Sequence, residues 1–347
     1  MAYSTITKPS LHFNTATYAG NGGTNAITGL GFQPDMVWTK NRSAVANHLL
    51  YDAVRGAGYY LYPNLTNGQG GNGTSALDSF DSDGFTLDGG DDSNVNGQNG
   101  VAWTWKGGNS SGSSNTDGSI TSTVSVNTTA GFSIVKYTGT GATATVGHGL
   151  GAVPGMLLIK RYSDAGEQWT MYHKSLGNTK HILFTTGAAV TQANYWNDTS
   201  PTSSVWTMGN QSEVNGNGTT NICYAFAEKQ GYSKFGSYVG NGNGPDGTFV
   251  YTGFKPAMII YKKSSGTENW FIHDNKRQGF NPENEILHPD LNNAEATVNR
   301  IDLLSNGFRA TSSDGGINGS GATYIYMAFA EEPLVANVGA SIPATAR

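Results

Sequence analysis

The chain has 347 residues, enough for two or three domains, and a unit of roughly 100 residues can bury its own core. Charged residues make up only 13%, and 20 basic against 25 acidic side chains leave a net charge of -5 with no Lys/Arg run, so nucleic acid is not an expected partner. One cysteine, Cys223, excludes an intrachain disulfide and a thiolate cluster, and no apolar stretch reaches about 18 residues, so membrane insertion is not expected either.

Abundant glycine, with Ser, Thr and Asn crowded between short apolar runs, predicts an all-β protein of many turns. Residues 1–12 are short and polar, lack an export-signal pattern, and read as an N-terminal docking segment. A first strand then ends in Tyr18-Ala19-Gly20-Asn21-Gly22, and a second follows Pro34 as Met36-Val37-Trp38-Thr39-Lys40. Both landmarks return. Tyr137-Thr138-Gly139-Thr140-Gly141 precedes Pro154-Gly155-Met156-Leu157-Leu158-Ile159-Lys160, and Tyr238-Val239-Gly240-Asn241-Gly242 precedes Pro256-Ala257-Met258-Ile259-Ile260-Tyr261-Lys262. Each copy closes with an Asn-Gly-type turn (Val95-Asn96-Gly97, Val214-Asn215-Gly216, Ile317-Asn318-Gly319) before an aromatic strand holding Trp103, Phe226 or Phe329. The chain is a triplication.

The copies divide as module 1 over 13–106, module 2 over 132–228 and module 3 over 235–331. Residues 107–131 form a Gly/Ser/Thr/Asn-rich linker whose alternating fragment Ile120-Thr121-Ser122-Thr123-Val124 can pair as an edge strand, and 332–347 are an extended tail. The apolar run after each proline, three residues from Met36 and four from Met156 and Met258, predicts a strand covered on both faces, at the centre of a two-layer packing. The expected fold is three tandem β-sandwich modules of jelly-roll or concanavalin-like type. Asn284–Leu304 has room for one short helical turn, limited by Pro289.

Chemistry-bearing patterns are sparse. Asp78, Asp81, Asp83, Asp88, Asp91 and Asp92 crowd one stretch, and Asp81-Ser82-Asp83-Gly84 could open a calcium loop, but the later bidentate glutamate is missing and a solvated loop is the expectation. The seven histidines lack zinc-helix spacing, no Gly-x-Ser-x-Gly string supports a nucleophile elbow, and the glycine strings lack the lysine of a phosphate loop. No cofactor or metal is expected. Asp52 with Asp274, and Glu228 with Glu331, are the best-matched carboxylates for glycoside cleavage, but each pair sits at equivalent positions of different copies, expected to lie farther apart than the roughly 5 to 10 Å that chemistry needs. An enzyme is therefore not expected.

Tyr60 and Tyr62 share one strand face, with Tyr59 and Leu61 on the other, and are the candidate glycan contact. Lys40, Lys160 and Lys262 end the same strand in each copy and are expected to mark its emergence into solvent.

Ile6-Thr7-Lys8-Pro9-Ser10, the Tyr18 turn, Gly31-Phe32-Gln33-Pro34-Asp35-Met36-Val37-Trp38-Thr39-Lys40, Tyr51-Asp52-Ala53-Val54-Arg55-Gly56 and Phe80-Asp81-Ser82-Asp83-Gly84-Phe85 resemble a domain of unknown function found in structural proteins of marine tailed bacteriophages, cyanophages and pelagiphages among them. Copies two and three look like diverged versions that lack the Arg-Gly string after the Asp52 position. The resemblance implies a virion protein without catalytic residues, assembled in the host cytoplasm: a tail fibre or appendage involved in host attachment, or a capsid decoration or knob protein. It implies other phage structural proteins as partners and a homo-oligomer, a trimer by the symmetry of such appendages. A carbohydrate-binding adhesin reading host surface glycan is the second reading, and a host-glycan endoglycosidase the third.

Overall fold

The computed structural model describes residues 4–71, 77–89 and 92–334, so the tail beyond Leu334 and Asp91 lie outside the described residues. It is almost entirely antiparallel β. Among the described residues, helix is confined to the single turns Ala193–Trp196 and Ser212–Asn215 and a 3-10 turn at Pro9–Leu11. The helical turn expected within Asn284–Leu304 is instead strand, Glu283–Ile286 and Ala296–Leu304, in keeping with the β-branched Thr297, Val298 and Ile301.

Each copy carries a main sheet in the same order. The opening strand (Phe13–Ala19, Phe132–Thr138 or Ser233–Val239) pairs with the closing strand (Asn99–Trp105, Thr220–Ala227 or Thr323–Pro333). The closing strand pairs with the post-proline strand (Met36–Asn41, Pro154–Arg161 or Phe254–Lys263), which pairs with a flanking strand (Leu49–Asp52, Thr170–His173 or Trp270–Asp274). Register is kept to the residue: Met36, Met156 and Met258 stand opposite Asp52, His173 and Asp274. Proline cannot donate to the ladder, and beside Pro154 and Pro256 the register shifts by a bulge. A second sheet lies over each main sheet, built on Asn25–Thr28 with Gly84–Leu87, Ala144–Gly147 with Val205–Met208, and Phe249–Tyr251 with Gly307–Ala310. Each copy is thus a β-sandwich.

The Tyr-x-Gly turn is held identically three times. The hydroxyls of Tyr18, Tyr137 and Tyr238 donate to the carbonyls of Ser93, Val214 and Ile317 at 2.8, 2.6 and 2.9 Å. The next residue, Asn94, Asn215 or Asn318, is buried and accepts the N–H of Asn21, Thr140 or Asn241 on its side-chain oxygen. The repeated turn residue of copy one is therefore Asn94, two places before the Asn96 expected from the sequence. Glycine is required opposite it, because a Cβ on Gly20, Gly139 or Gly240 would come within 2.2, 2.4 and 2.4 Å of a backbone oxygen.

Strand alternation then sends two faces to two different cores. One face of each main sheet packs on its own second sheet: Val37, Tyr51 and Ala102 in copy one, Leu157, Tyr172 and Ala225 in copy two, Ile259, Phe271 and Ala328 in copy three. The other face, with Met36, Trp38 and Trp103, Met156, Leu158 and Tyr224, and Met258, Ile260 and Met327, enters one apolar core shared by all three copies. The expected two-layer packing is correct for the first face only. The post-proline strand is the middle of three layers, and the third layer is the other two copies.

The flanking segments join the same body. Ile6 is 2% exposed within the shared core, and Pro9–Leu11 packs on the closing strand of copy three, so residues 4–12 dock on the chain itself. In the linker, Ser113–Asn115 and Ser122–Asn127 extend the main sheet of copy two beyond its opening strand.

Candidate functional site

Tyr60 and Tyr62 do share a face, half-buried, with Leu61 buried and Tyr59 exposed behind them. With Leu49 and Asp92 they line a depression of about 190 Å³. Their rings meet edge to face at 5.1 Å with the hydroxyls 3.3 Å apart, Tyr51 stands edge-on to Tyr60, and the backbone of Gly70 and Gly71 lies against the Tyr60 ring. The pair forms a polar notch, with little flat aromatic surface for a sugar to stack on.

The carboxylates resolve differently. Asp83 accepts the N–H groups of Gly29 and Gly31, at 3.1 and 2.6 Å, and fixes the loop ahead of the post-proline strand. Asp81 accepts the hydroxyls of Ser79 and Thr86, each at 2.8 Å. Asp92 accepts the N–H of Asn47. Among the described residues no three His, Cys, Asp or Glu side chains converge as a metal site. Glu228 pairs with Lys174, and Glu331 with Lys255 at 3.1 Å.

Asp52 and Asp274 are each spent at a boundary between copies. Asp52 Oδ2 accepts the Tyr224 hydroxyl of copy two at 2.7 Å and the Arg55 guanidinium, while Oδ1 accepts the N–H groups of Val54 and Arg55. Asp274 Oδ2 accepts Trp103 Nε1–H of copy one at 2.9 Å and Arg277 Nε–H at 2.7 Å, with Oδ1 on Lys276 and Arg277 N–H. The guanidinium opposite holds the Asp274 carboxyl below the usual carboxylate range despite complete burial. Copy three therefore keeps the arginine of copy one, as Asp-x-x-Arg, although Gln278 stands where copy one has Gly56. At the same position of copy two stands His173, whose Nε2–H donates to the Tyr326 carbonyl of copy three at 3.1 Å and whose Nδ1 accepts Ser175 N–H. Burial holds its pKa down to about 4, so the ring is neutral with both nitrogens used. Tyr224, Trp103 and Met327 occupy one register position of the three closing strands. Where that residue offers a donor its partner is aspartate, and where it is Met327 the partner is histidine on the backbone. Copy one contacts two, two contacts three, and three contacts one.

Two further sets of bonds close the same ring from the other side. His48, Trp169 and Trp270 stand four residues before Asp52, His173 and Asp274. Their ring N–H groups donate to the carbonyls of His288, Tyr62 and Leu183 in the neighbouring copy at 3.0, 2.8 and 3.0 Å. His48 Nδ1 accepts Trp38 Nε1–H, which fixes its tautomer.

Lys40, Lys160 and Lys262 correct the sequence expectation most sharply: none emerges into solvent, and all are at most 1% exposed. Their ammonium groups reach the carbonyls of Asn292, Thr66 and Thr186 across the boundary, at 3.5, 3.1 and 3.2 Å. The same carbonyls accept backbone N–H from Ala46, Gly166 and Glu268, and Glu295, Gln69 and Ala189 N–H donate back to Arg42, Tyr162 and Ser264. Each lysine is where its strand meets the next copy. Burial lowers all three pKa values to about 8. At the first-to-third boundary Arg42 adds ion pairs to Glu285 and Glu295 at 2.8 and 2.7 Å, and Glu295 also binds Arg277 at 2.8 Å.

The seven tryptophans, including Trp196 and Trp206, are all buried, so none supplies an exposed sugar platform. Where the copies meet, the void between Met36, Trp38, Met156, Phe184, Ile260 and Trp270 is about 10 Å³, apolar, and no larger than one water requires. The centre is a packed core.

The family model described as "Domain of unknown function (DUF7483)" matches residues 8–333. The chain belongs to that family. The match runs as one domain through all three copies, in keeping with a core to which all three contribute. No curated protein and no solved structure matches the chain.

Proposed function

We propose that this DUF7483 chain is a structural component of a tailed-phage particle, a tail fibre or appendage protein displayed for host attachment, built from three jelly-roll-type sandwiches and acting without catalysis. One observation carries the non-catalytic reading: the strongest candidates for chemistry, Asp52, His173, Asp274 and the three strand-end lysines, are all consumed in holding the copies together. The sequence resemblance to marine phage structural proteins supports the placement on a virion. The ring of copies also supplies three-fold pairing within one polypeptide, so we place assembly at the outer surface and not at these seams. Labelling the protein and imaging purified particles tests the proposal. Label on the tail or shell supports it, and particles that assemble, attach and infect normally without the protein overturn it.

The polar notch of Tyr60, Tyr62, Leu49 and Asp92 supports a second reading, recognition of host glycan by the same appendage through hydrogen bonds and not through ring stacking. A glycan array with wild type beside Tyr60→Ala/Tyr62→Ala tests it. Signal lost in the variant supports the notch, and equal signal from both removes it.

A further inference from the structure

The linker shows what fits the outer edge of one sandwich. In copy two, Ser122–Asn127 pairs with the opening strand, with Val124 opposite Val135 and Val126 opposite Ser133. It lies in the cleft between that strand and Gly147–Gly149: Ser122 Oγ donates to Gly147 O at 3.0 Å, and Val124 and Val126 lie against Gly149. Just before it, Ile120 N–H donates to Thr145 O at 3.0 Å, covering the edge of the second sheet as well.

Copy three has the same cleft without the strap. Its opening strand, Ser233–Val239, is the outermost of its sheet among the described residues, and so is Phe249–Tyr251 in the sheet above. By register Lys234 replaces Ser133, and Phe249 and Tyr251 replace Thr145 and Gly147. Between the two edges lies a cleft of about 310 Å³ lined by Glu228, Ser233, Lys234, Tyr251 and Gly253. Phe249 and Tyr251 are 45% and 48% exposed beside it, Lys234 stands over the Tyr251 ring at 5.4 Å, and at the far end of the strand the Thr248 hydroxyl donates to Val239 O at 2.9 Å. Copy one closes its version with a side chain, Asn14 Nδ2–H on Leu30 O at 3.1 Å.

We propose that the edge of copy three accepts an added β-strand from a partner protein, an extended segment alternating small polar with β-branched residues in the manner of Ser122–Asn127. An unpaired strand edge supplies main-chain hydrogen bonds, and side chains at alternate positions supply selectivity. The cleft takes the β-branched pair, and the exposed aromatics pack on the residues leading into the strand, where Ile120 runs in copy two. The inference stands on the comparison of copies and does not depend on where the protein is displayed.

Hydrogen exchange of the full chain, with and without a synthetic peptide of residues 113–128, tests it. The proposal expects exchange within residues 233–237 to slow at least tenfold at millimolar peptide, and a peptide with Val124→Asp and Val126→Asp to have no effect. Phe249→Ala/Tyr251→Ala, at exposed positions, should raise the peptide concentration needed by at least fivefold at unchanged Tm. No slowing, equal slowing by the aspartate peptide, or unchanged affinity in the double variant overturns the proposal. Protection of this strand before peptide is added overturns it too, whether the cover is this chain itself or, if it rises with protein concentration, a second copy.

Discussion

The hydroxyl of Tyr224 in the second copy donates to the Asp52 carboxylate of the first at 2.7 Å, with both residues fully buried. Removing either end has unequal consequences. Asp52→Ala leaves Arg55 charged and Tyr224 unpaired in the seam and is expected to cost about 3–5 kcal/mol, as for a broken buried ion pair. Tyr224→Phe leaves Asp52 its bonds to Val54 and Arg55 and should cost about 1–3 kcal/mol. Urea unfolding monitored by tryptophan fluorescence separates them, and equal losses would contradict the geometry.

The shared core makes a prediction about cooperativity. Alone, copy one would expose Met36, Trp38, Leu50, Trp103 and Trp105, all buried against the other copies. At about 2 kcal/mol each, that loss is on the order of 10 kcal/mol, as large as the net stability of a typical domain. Calorimetry of the whole chain should show one transition, and a fragment of residues 4–106 should fail to form a folded monomer. Separate transitions, or a stable monomeric fragment, would show that each sandwich stands alone.

Much of this was legible in the sequence. The three prolines, the three Tyr-x-Gly turns and the closing aromatic strands fix the copies, and the apolar runs at Met36, Met156 and Met258 announce strands without a solvent face. What covers the second face was not legible, because a run of apolar residues reads the same whether its cover is the same copy or another. Asp52-x-x-Arg55 and Asp274-x-x-Arg277 carried a usable signal in their spacing, hidden because the glycine after Arg55 has no counterpart after Arg277. Lys40, Lys160 and Lys262 misled because lysine at a strand end usually meets water, and the carbonyls that receive them come from loops with no shared sequence. The notch at Tyr60 and Tyr62 was found by alternation, but its edge-to-face geometry depends on Tyr51 and Gly70, which alternation does not place.

The buried lysines predict an unusual alkaline response. Their folded pKa values, about 8, lie below the roughly 10.4 of an unfolded lysine, so between those limits the unfolded chain holds protons the folded chain has released. Stability should therefore rise with pH from about 8 towards 10, by up to about 1 kcal/mol per unit for each lysine. Burial raises the Cys223 thiol pKa, which acts in the opposite sense, so Tm is best followed in a Cys223→Ala background. Above pH 10 the trend should reverse as tyrosines such as Tyr224, raised by burial, ionise only in the unfolded chain. Replacing all three lysines by methionine should flatten the rise, and an unchanged slope would place its origin elsewhere.

The odd seam can be rewritten. His173→Asp alone sets a carboxylate against the Tyr326 carbonyl, with Leu176 where the other aspartates have arginine, and should cost about 3 kcal/mol or more. Adding Leu176→Arg and Met327→Tyr rebuilds the Asp52, Arg55 and Tyr224 arrangement and should recover at least half of the loss. Denaturation of the single and triple variants checks it, and a triple variant no more stable than the single would show that the seams are not equivalent sites.

The difference between that seam and its neighbours has a consequence for the order of the copies along the chain. Three identical joints would let any copy sit beside any other, in either circular sense or with repeats of one copy from several chains. Here the face carrying His173 meets a carbonyl and Met327, while the faces carrying Asp52 and Asp274 need the Tyr224 hydroxyl and the Trp103 indole. An aspartate face set against Met327 would leave its buried carboxylate without that donor, so the odd joint fixes which copies are neighbours. The ring therefore has one correct circular order of members, and a chain with two copies exchanged would carry every strand and turn yet set Asp52 against Met327, a buried carboxylate facing a side chain that offers it no donor.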